Sequence, residues 1–410
     1  MKSLHFWPPP TPGRPMSDMD LSTSLGRLCG PTKTIAVGDG VGALGLLADG
    51  TSVYERLSSF AGEAGGVSLI LGWSPVPPPG LQPDAFAQIF TLMPGWGLRG
   101  LLAQPVTRSI PTSMAAIPAL LSGHLRPDVL ITRMAERDGG LHFCTEISWQ
   151  QALFDAGVQV LAVLDRAATV ASAEKPISVD AVAVIGEAGD RPAAVPPRRP
   201  DPVHEQLADR VLSLVPDRAR LQYGPGQLGT ALLERVDRPI GIDTGLLTDA
   251  VISLERRGFL LGDPSATYLL GSDELYDWAD GRPILRGIEH SHDMTRLSGG
   301  TPFVAVNTAI EIDPVGQVNV EGVGDKVVGG IGGHPDYCTA ARLSPHGLSI
   351  IAVPSRFDGR SPWVETLSRP ASTPAHDVEV IVTERGHVDL RGAGWSERRR
   401  LIGDLFERTL

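Results

Sequence analysis

A chain of 410 residues is too long for one small core, and 42% hydrophobic against 20% charged residues suits a compact globular protein of two or three domains. Its net charge of −11 is spread along the sequence instead of gathered in a tail, which argues against nucleic acid or an anionic membrane as partner. Three widely separated cysteines, Cys29, Cys144 and Cys338, with no CxxC pair, signal neither a disulfide framework nor a metal site and fit a reducing cytoplasm.

Residues 1–25 are rich in proline and serine, carry no periodicity and read as a disordered arm without an apolar run of signal-peptide length. No later stretch is long enough to span a bilayer. From Lys33 onward, KTIAVGD, VSLILGW, AQIFTLM, DVLITRM and VQVLAVL read as strands alternating with helical patterns. That rhythm predicts a mostly parallel sheet faced by helices, an N-terminal α/β domain over 26–195. The segment EAGDRPAAVPPRRPDPV, 187–203, is dense in proline and charge and reads as a linker.

A second α/β domain follows over 196–410. Helix EQLADRVLSLV, strand ARLQYG, helix QLGTALLERV and strand PIGID lead to helix TDAVISLERRG, which Gly258 closes. The later strands TYLLG, FVAVNTAIEI, QVNVEG, LSIIAVPS and VEVIVTE include strictly alternating ones, which predict some antiparallel pairing beside a parallel core.

Two GxGxxG patterns each join a strand to a helix: Gly40, Gly42 and Gly45, then Gly224, Gly226 and Gly229. Such a turn lets backbone N–H groups and a helix N-terminus approach a pyrophosphate, because no Cβ intervenes. After the second, Asp243 ends a strand about 20 residues on, where a dinucleotide fold places its ribose-binding acid, so NAD is one candidate ligand. The first has no such acid on its next strand and reads as a structural turn. The cluster VVGGIGGHPDY, 327–337, holds four glycines in five positions, and their entropic cost points to close approach of a ligand to the backbone, with a plain hairpin loop as the alternative.

The ordered stretches LQYGPG, GIDTGLLTDAVISLERRG, AVNTAIEIDPVGQVNVEG, GGIGGHPDY, SPHGLSIIAVPS and VIVTERGHVDLRG resemble the acetyl-CoA hydrolase/transferase family, which includes acetate and 4-hydroxybutyrate CoA-transferases. PTSMAAIPALLSGHLRPDVLITRMAERDGG extends the resemblance into the first half. It implies two CoA-transferase-type α/β domains and coenzyme A as the acyl carrier, without a metal. It also implies a small acyl-CoA and a carboxylate as partners, and leaves room for a homo-oligomer. The loop matching Gln222, Tyr223, Gly224, Pro225 and Gly226, and the glycines matching Gly329, Gly332 and Gly333, are then CoA contacts.

In the family the stretch here written Gly-Ile-Asp-Thr-Gly runs Gly-Ile-His-Thr-Glu, and that glutamate attacks the acyl-CoA to give a glutamyl-CoA thioester. This chain has Asp243 for the histidine and Gly245 for the nucleophile. In an extended segment Asp243 and Gly245 share a face but lie roughly 6.5–7 Å apart, too far for a shorter carboxylate to replace the lost one without a shift of loop or substrate. In EHSHDM the family's asparagine becomes His292, which either donates a hydrogen bond or acts as a base suited to hydrolysis, or else is a partly exposed side chain without a role. The resemblance therefore implies transfer or hydrolysis of a small acyl-CoA by an altered route, or a CoA-ester binder or partner subunit that has lost catalysis; the second glycine pattern keeps an NAD-binding oxidoreductase as a further alternative.

Overall fold

The computed structural model describes residues 21–29 and 33–407. Most of the expected arm, residues 1–20, lies outside them. Residues 21–25 do not continue that arm: they begin the helix Leu21–Leu28, because Leu21 and Leu25 stand one turn apart and are both fully buried in one cluster with Leu57 and Ala61 of the helix Val53–Ala64.

The five early apolar runs all become strands of one sheet. Its order is Thr107–Ser109, Gln88–Thr91, Ser68–Leu71, Thr34–Val37, Val129–Arg137, Gln159–Leu164 and Ala183–Glu187, all parallel. Gly140–Phe143 folds back antiparallel on Val129–Arg137. Ile35, Ala36 and Val37 have no exposure, as expected for a strand covered on both faces.

A second sheet runs Gly241–Ile242, Arg220–Tyr223, Phe303–Asn307, Leu348–Ala352, Val380–Thr383 and Gly386–Asp389, parallel except for the last pair. The alternating runs supply the expected antiparallel pairing, as Glu311–Ile312 with Val318–Asn319. The fold is α/β with mostly parallel sheets. One apolar cluster holds Ile147 and Trp149 from the first half together with Leu269 and Leu285 from the second. Backbone bonds cross the same seam, Ile147 N–H to Thr267 O at 3.0 Å and Leu269 N–H to Thr145 O at 2.9 Å. Residues 191–201 have no regular structure, yet Ala193 N–H bonds to Val41 O and Val195 N–H to Gly271 O, so this connection is pinned to both halves.

The first glycine pattern is occupied by the protein itself. A Cβ at Gly40 would collide with Glu146 Oε2, one at Gly42 would stand 2.5 Å from Glu146 Oε1, and one at Gly45 would collide with Asp190 Oδ2. Gly42 N–H and Thr145 Oγ1 donate to Glu146 Oε2 at 3.0 and 2.8 Å. A side-chain carboxyl thus fills the nest that a phosphate would use elsewhere.

Burial pushes the Glu146 carboxyl up to about 8, against 4.5 for the free group. The folded chain therefore holds a proton that the unfolded chain releases above 4.5. This contribution to stability is complete below that value and is lost as pH rises through 8. Unfolding free energies from urea titrations between pH 5 and 8.5 should fall with a slope of at most about 1.4 kcal/mol per pH unit from this group. The variant Glu146→Gln should flatten the upper part of that slope.

Candidate active site

The central strands Arg220–Tyr223 and Phe303–Asn307 deliver Gln222, Tyr223 and Asn307 to their C-terminal ends, where open α/β sheets place ligands. A cavity of ≈ 260 Å³ opens there. It is lined by Gln222, Tyr223, Gly224 and Pro225, by Gly245 and Leu246, by His292, and by Gly329, Gly330, Gly333, His334 and Tyr337. The first half contributes Trp73, Met93, Pro94, Trp96 and Met114, so the cavity lies between the two sheets.

Of the residues singled out from the sequence, eight line this cavity: Gln222, Tyr223, Gly224, Pro225, Gly245, His292, Gly329 and Gly333. Gly226 lies outside it and lines an adjoining cavity of ≈ 520 Å³, which shares Trp96 and Pro225 and carries the exposed Arg99 and Arg198. Gly226 has φ +117° and open space where a Cβ would point, and it precedes the helix Gln227–Arg235, whose N-terminus has no side-chain cap. Gly332 stands behind the wall, where its carbonyl accepts from Met114 N–H at 3.0 Å.

Protein contacts explain much of the second glycine cluster. A Cβ at Gly333 would stand 2.5 Å from His292 Nε2, and one at Gly330 3.1 Å from Met93 Sδ. Gly332 has φ +64°. Gly329 has nothing nearer than 3.9 Å and faces open space. Most of the close approach inferred from the sequence is therefore backbone meeting protein, with Gly329 left free beside the cavity.

Asp243 does not line the cavity. Its oxygens accept from Arg296 Nη1 and Nη2 at 2.7 and 2.8 Å and from Arg220 Nη1 at 3.1 Å. The carboxylate is 4% exposed and ties the strand end to the helix Met294–Ser298. The same pairing leaves it ill placed to accept ribose hydroxyls, the role a dinucleotide site would need. Gly245, two residues on, does not have a positive φ, and a Cβ there would stand 3.1 Å from Tyr337 Oη and 3.4 Å from His292 Nε2.

His292 is 2% exposed, and burial, then the charge of Arg296, pushes it down to about 3, so it is neutral at physiological pH. Ser291 Oγ lies 3.2 Å from Gly287 O and 3.0 Å from His292 Nδ1. The serine hydroxyl has one hydrogen, so if it goes to Gly287 O the imidazole donates from Nδ1, and if it goes to Nδ1 the imidazole proton is on Nε2. Tyr337 Oη is buried with no hydrogen-bond partner, and its ring lies 4.7 Å from that of His292. Burial holds its hydroxyl well above the usual phenol range, hence protonated.

Sequence reasoning missed Tyr337, Tyr268 and Trp96. Trp96, with φ +46°, packs edge-on to Trp73 at 5.6 Å, and Tyr268 does so at 5.7 Å. Tyr337 had one available signal, its place one helical turn after Gly333, whose carbonyl accepts its N–H.

Residues 271–404 match the model of the acetyl-CoA hydrolase/transferase C-terminal domain. This part of the chain is similar to that domain family. The chain is 25% identical over 312 residues to 4-hydroxybutyrate coenzyme A transferase of Clostridium kluyveri, covering 71% of this chain and 72% of that protein. It is 31% identical over 198 residues to acetyl-CoA hydrolase of Eremothecium gossypii, 44% of this chain and 37% of that one. The match to butyryl-CoA:acetate CoA-transferase of Anaerostipes caccae spans half of that protein's length, at 26% identity over 49% of this chain. RipA from Yersinia pestis has the same fold, with a TM-score of 0.81 over 94% of both chains at 21% identity. A 4-hydroxybutyrate CoA-transferase from Porphyromonas gingivalis superposes with a TM-score of 0.72, 20% identity, 94% of this chain and 92% of that one. Among the described residues no helix is long and apolar enough to cross a membrane.

The ion pair sets a test of the role of Asp243. Asp243→Ala leaves Arg220 and Arg296 without their shared anion and should destabilise by about 3 kcal/mol, at the low end for a broken buried pair because both guanidinium groups keep some solvent contact. Chemical denaturation reads that loss. If Asp243→Asn folds stably but abolishes turnover while CoA-ester binding persists, the aspartate has a chemical role after all.

Proposed function

We propose that the protein binds the CoA thioester of a small carboxylic acid in the cavity at Gln222, Gly245 and His292, and acts on it without a glutamyl-CoA intermediate. The observation that carries this reading is convergence. Residues 222–225, 245, 292, 329, 330 and 333, far apart in the chain and all singled out through the resemblance or the glycine cluster, line one cavity.

The shape and charge of the two cavities fit the two ends of the ligand. The inner one is walled by Met93, Trp73, Tyr268 and Leu246 and suits an acyl-pantetheine arm. The outer one offers Arg99, Arg198 and the uncapped N-terminus of Gln227–Arg235 to phosphates. Trp96 borders both and can lie against the adenine or the arm. The resemblance reads Gly245 as the position of the family nucleophile, and the neighbouring carboxylate of Asp243 is committed to two arginines.

An acyl-CoA at a hundred times its dissociation constant should stabilise the fold by about 2.7 kcal/mol, visible as a thermal shift. NAD should give none. A shift with NAD and none with any CoA ester would overturn the reading. Charge reversal at Arg99 and Arg198 should weaken binding of the CoA ester far more than that of the acyl-pantetheine fragment.

Gly245→Glu should create a covalent adduct with acyl-CoA that borohydride traps, because the backbone conformation there accepts a side chain and the surrounding loops already orient the ligand. The unsubstituted protein should give none. Binding without turnover would identify a CoA-ester binder in place of an enzyme.

A further inference from the structure

Trp96 is held in a conformation that its side chain does not favour. Its φ is +46°, and among the described non-glycine residues with positive φ it alone has a large apolar side chain. A bulky residue in the left-handed region is costly and persists only where its surroundings over-determine it, which happens most at ligand sites. Here the surroundings come from both halves of the chain. Gly97 N–H donates to Ser74 O at 3.0 Å, and a Cβ on Gly97 would collide with Val76 O. On the other side a Cβ on Gly95 would stand 2.5 Å from Val328 O, and Arg99 Nη2 donates to that same carbonyl at 3.3 Å. The loop is wedged from both directions, yet its tryptophan is left 43% exposed.

The exposed ring stands on the border between the two cavities. Trp96 and Pro225 are the residues that line both, one from each half, and Pro225 is exposed as well. Trp73, which lines the inner cavity alone, meets the Trp96 ring edge-on at 5.6 Å. The border is thus made of an indole and a pyrrolidine ring, rigid groups that offer apolar contact at little ordering cost. In coenzyme A the order of groups is fixed: the nucleotide phosphates, the pantoyl unit with its gem-dimethyl carbon, the amides, and the sulfur. With the phosphates at Arg99, Arg198 and the N-terminus of Gln227–Arg235, the group that reaches the border first is the pantoyl unit. That unit is also the one branched apolar stretch of the arm.

Resting on the reading of these cavities as an acyl-CoA site, we propose that Trp96 and Pro225 form an apolar neck that grips the gem-dimethyl carbon of the pantoyl unit, and that Trp96 is the residue that selects for the arm of the substrate. The neck reads the carrier and leaves the acyl group to the inner cavity. The wedged loop keeps the indole at the neck before the ligand arrives, so binding does not have to order it. Adenine stacked on the indole is the competing occupant, and a fragment without adenine tells the two apart.

The test titrates the full chain calorimetrically with three ligands: butyryl-CoA, butyryl-pantetheine, which lacks the nucleotide, and an analogue of butyryl-pantetheine with hydrogens in place of the gem-dimethyl groups. The unsubstituted protein should bind the analogue roughly tenfold more weakly than butyryl-pantetheine, the worth of the buried methyl groups. Trp96→Gly removes the ring and accepts the left-handed backbone without strain. It should weaken butyryl-CoA and butyryl-pantetheine by roughly tenfold and change the analogue by less than about twofold, so that the preference for the methyl groups disappears. Pro225→Ala, at an exposed position, should shrink that preference to about threefold. A merely structural loss would weaken all three ligands alike and keep the preference. A preference undiminished in Trp96→Gly, or in Pro225→Ala should the former fail to fold, overturns the proposal. A loss confined to butyryl-CoA assigns the indole to adenine and overturns it as well. Binding by the unsubstituted chain without any preference for the methyl groups overturns the proposal and leaves the site standing. Failure of that chain to bind any of the three overturns the reading of the cavities, and the proposal with it.

Discussion

The site depends on how closely the helix His334–Leu343 comes to His292. That approach exists because residue 333 is glycine: any Cβ there would stand 2.5 Å from the imidazole nitrogen. With the backbone admitted, the first turns of the helix carry Tyr337 onto the His292 ring and bring Asp336 Oδ2 to Ala115 N–H at 2.9 Å. One contact thereby positions a cavity wall, a phenol hydroxyl and a fastening between the halves. A larger residue at 333 would displace all three together.

Carboxylates are placed with equal economy. Asp243 is locked into Arg220 and Arg296, where it supports the loop carrying Gly245. Glu146 fills the first glycine turn, with the backbone N–H of Gly42 turned onto it. Asp39, pushed up to about 6 by burial, accepts from Tyr268 Oη at 2.7 Å and from Ser148 Oγ at 3.2 Å behind the cavity wall. Each acid sits behind the lining, so the lining itself is neutral and aromatic. Desolvation disfavours charge in such a space, which is why both histidines that face it stay deprotonated.

The division between inner and outer cavity follows from the same layout. Parallel strands end together, so the loops after them form a continuous rim, and the helix Gln227–Arg235 points its uncapped N-terminus to that rim. The rim is where Arg99 and Arg198 gather, from the first half and from the connection between the halves. The proposed ligand, with a charged head and an apolar, reactive tail, would meet a basic rim and an apolar inner cavity.

The strands, their parallel order and the family motifs were legible in the sequence because they are local: β-branched runs such as TIAV and LSIIA, and glycine turns at fixed spacing, carry their signal within a dozen residues. The reading of Gly245 as the position of the family glutamate rests on the motif around it alone. Whether a glycine turn holds a ligand was not legible, because Gly40 and Gly224 look alike until a carboxyl from 104 residues beyond Gly42 is seen to occupy the first and open space to surround the second. Asp243 read as a candidate nucleophile or ribose ligand because its two guanidinium partners lie 23 and 53 residues away. The helix at Leu21–Leu28 was hidden by its proline-rich surroundings and is held by burial of Leu21 and Leu25. Residue types and spacing determined which groups were available; only tertiary packing decided which of them meet, since burial, ion pairing and the placing of Tyr337 beside His292 and Gly245 are properties of contacts distant in sequence.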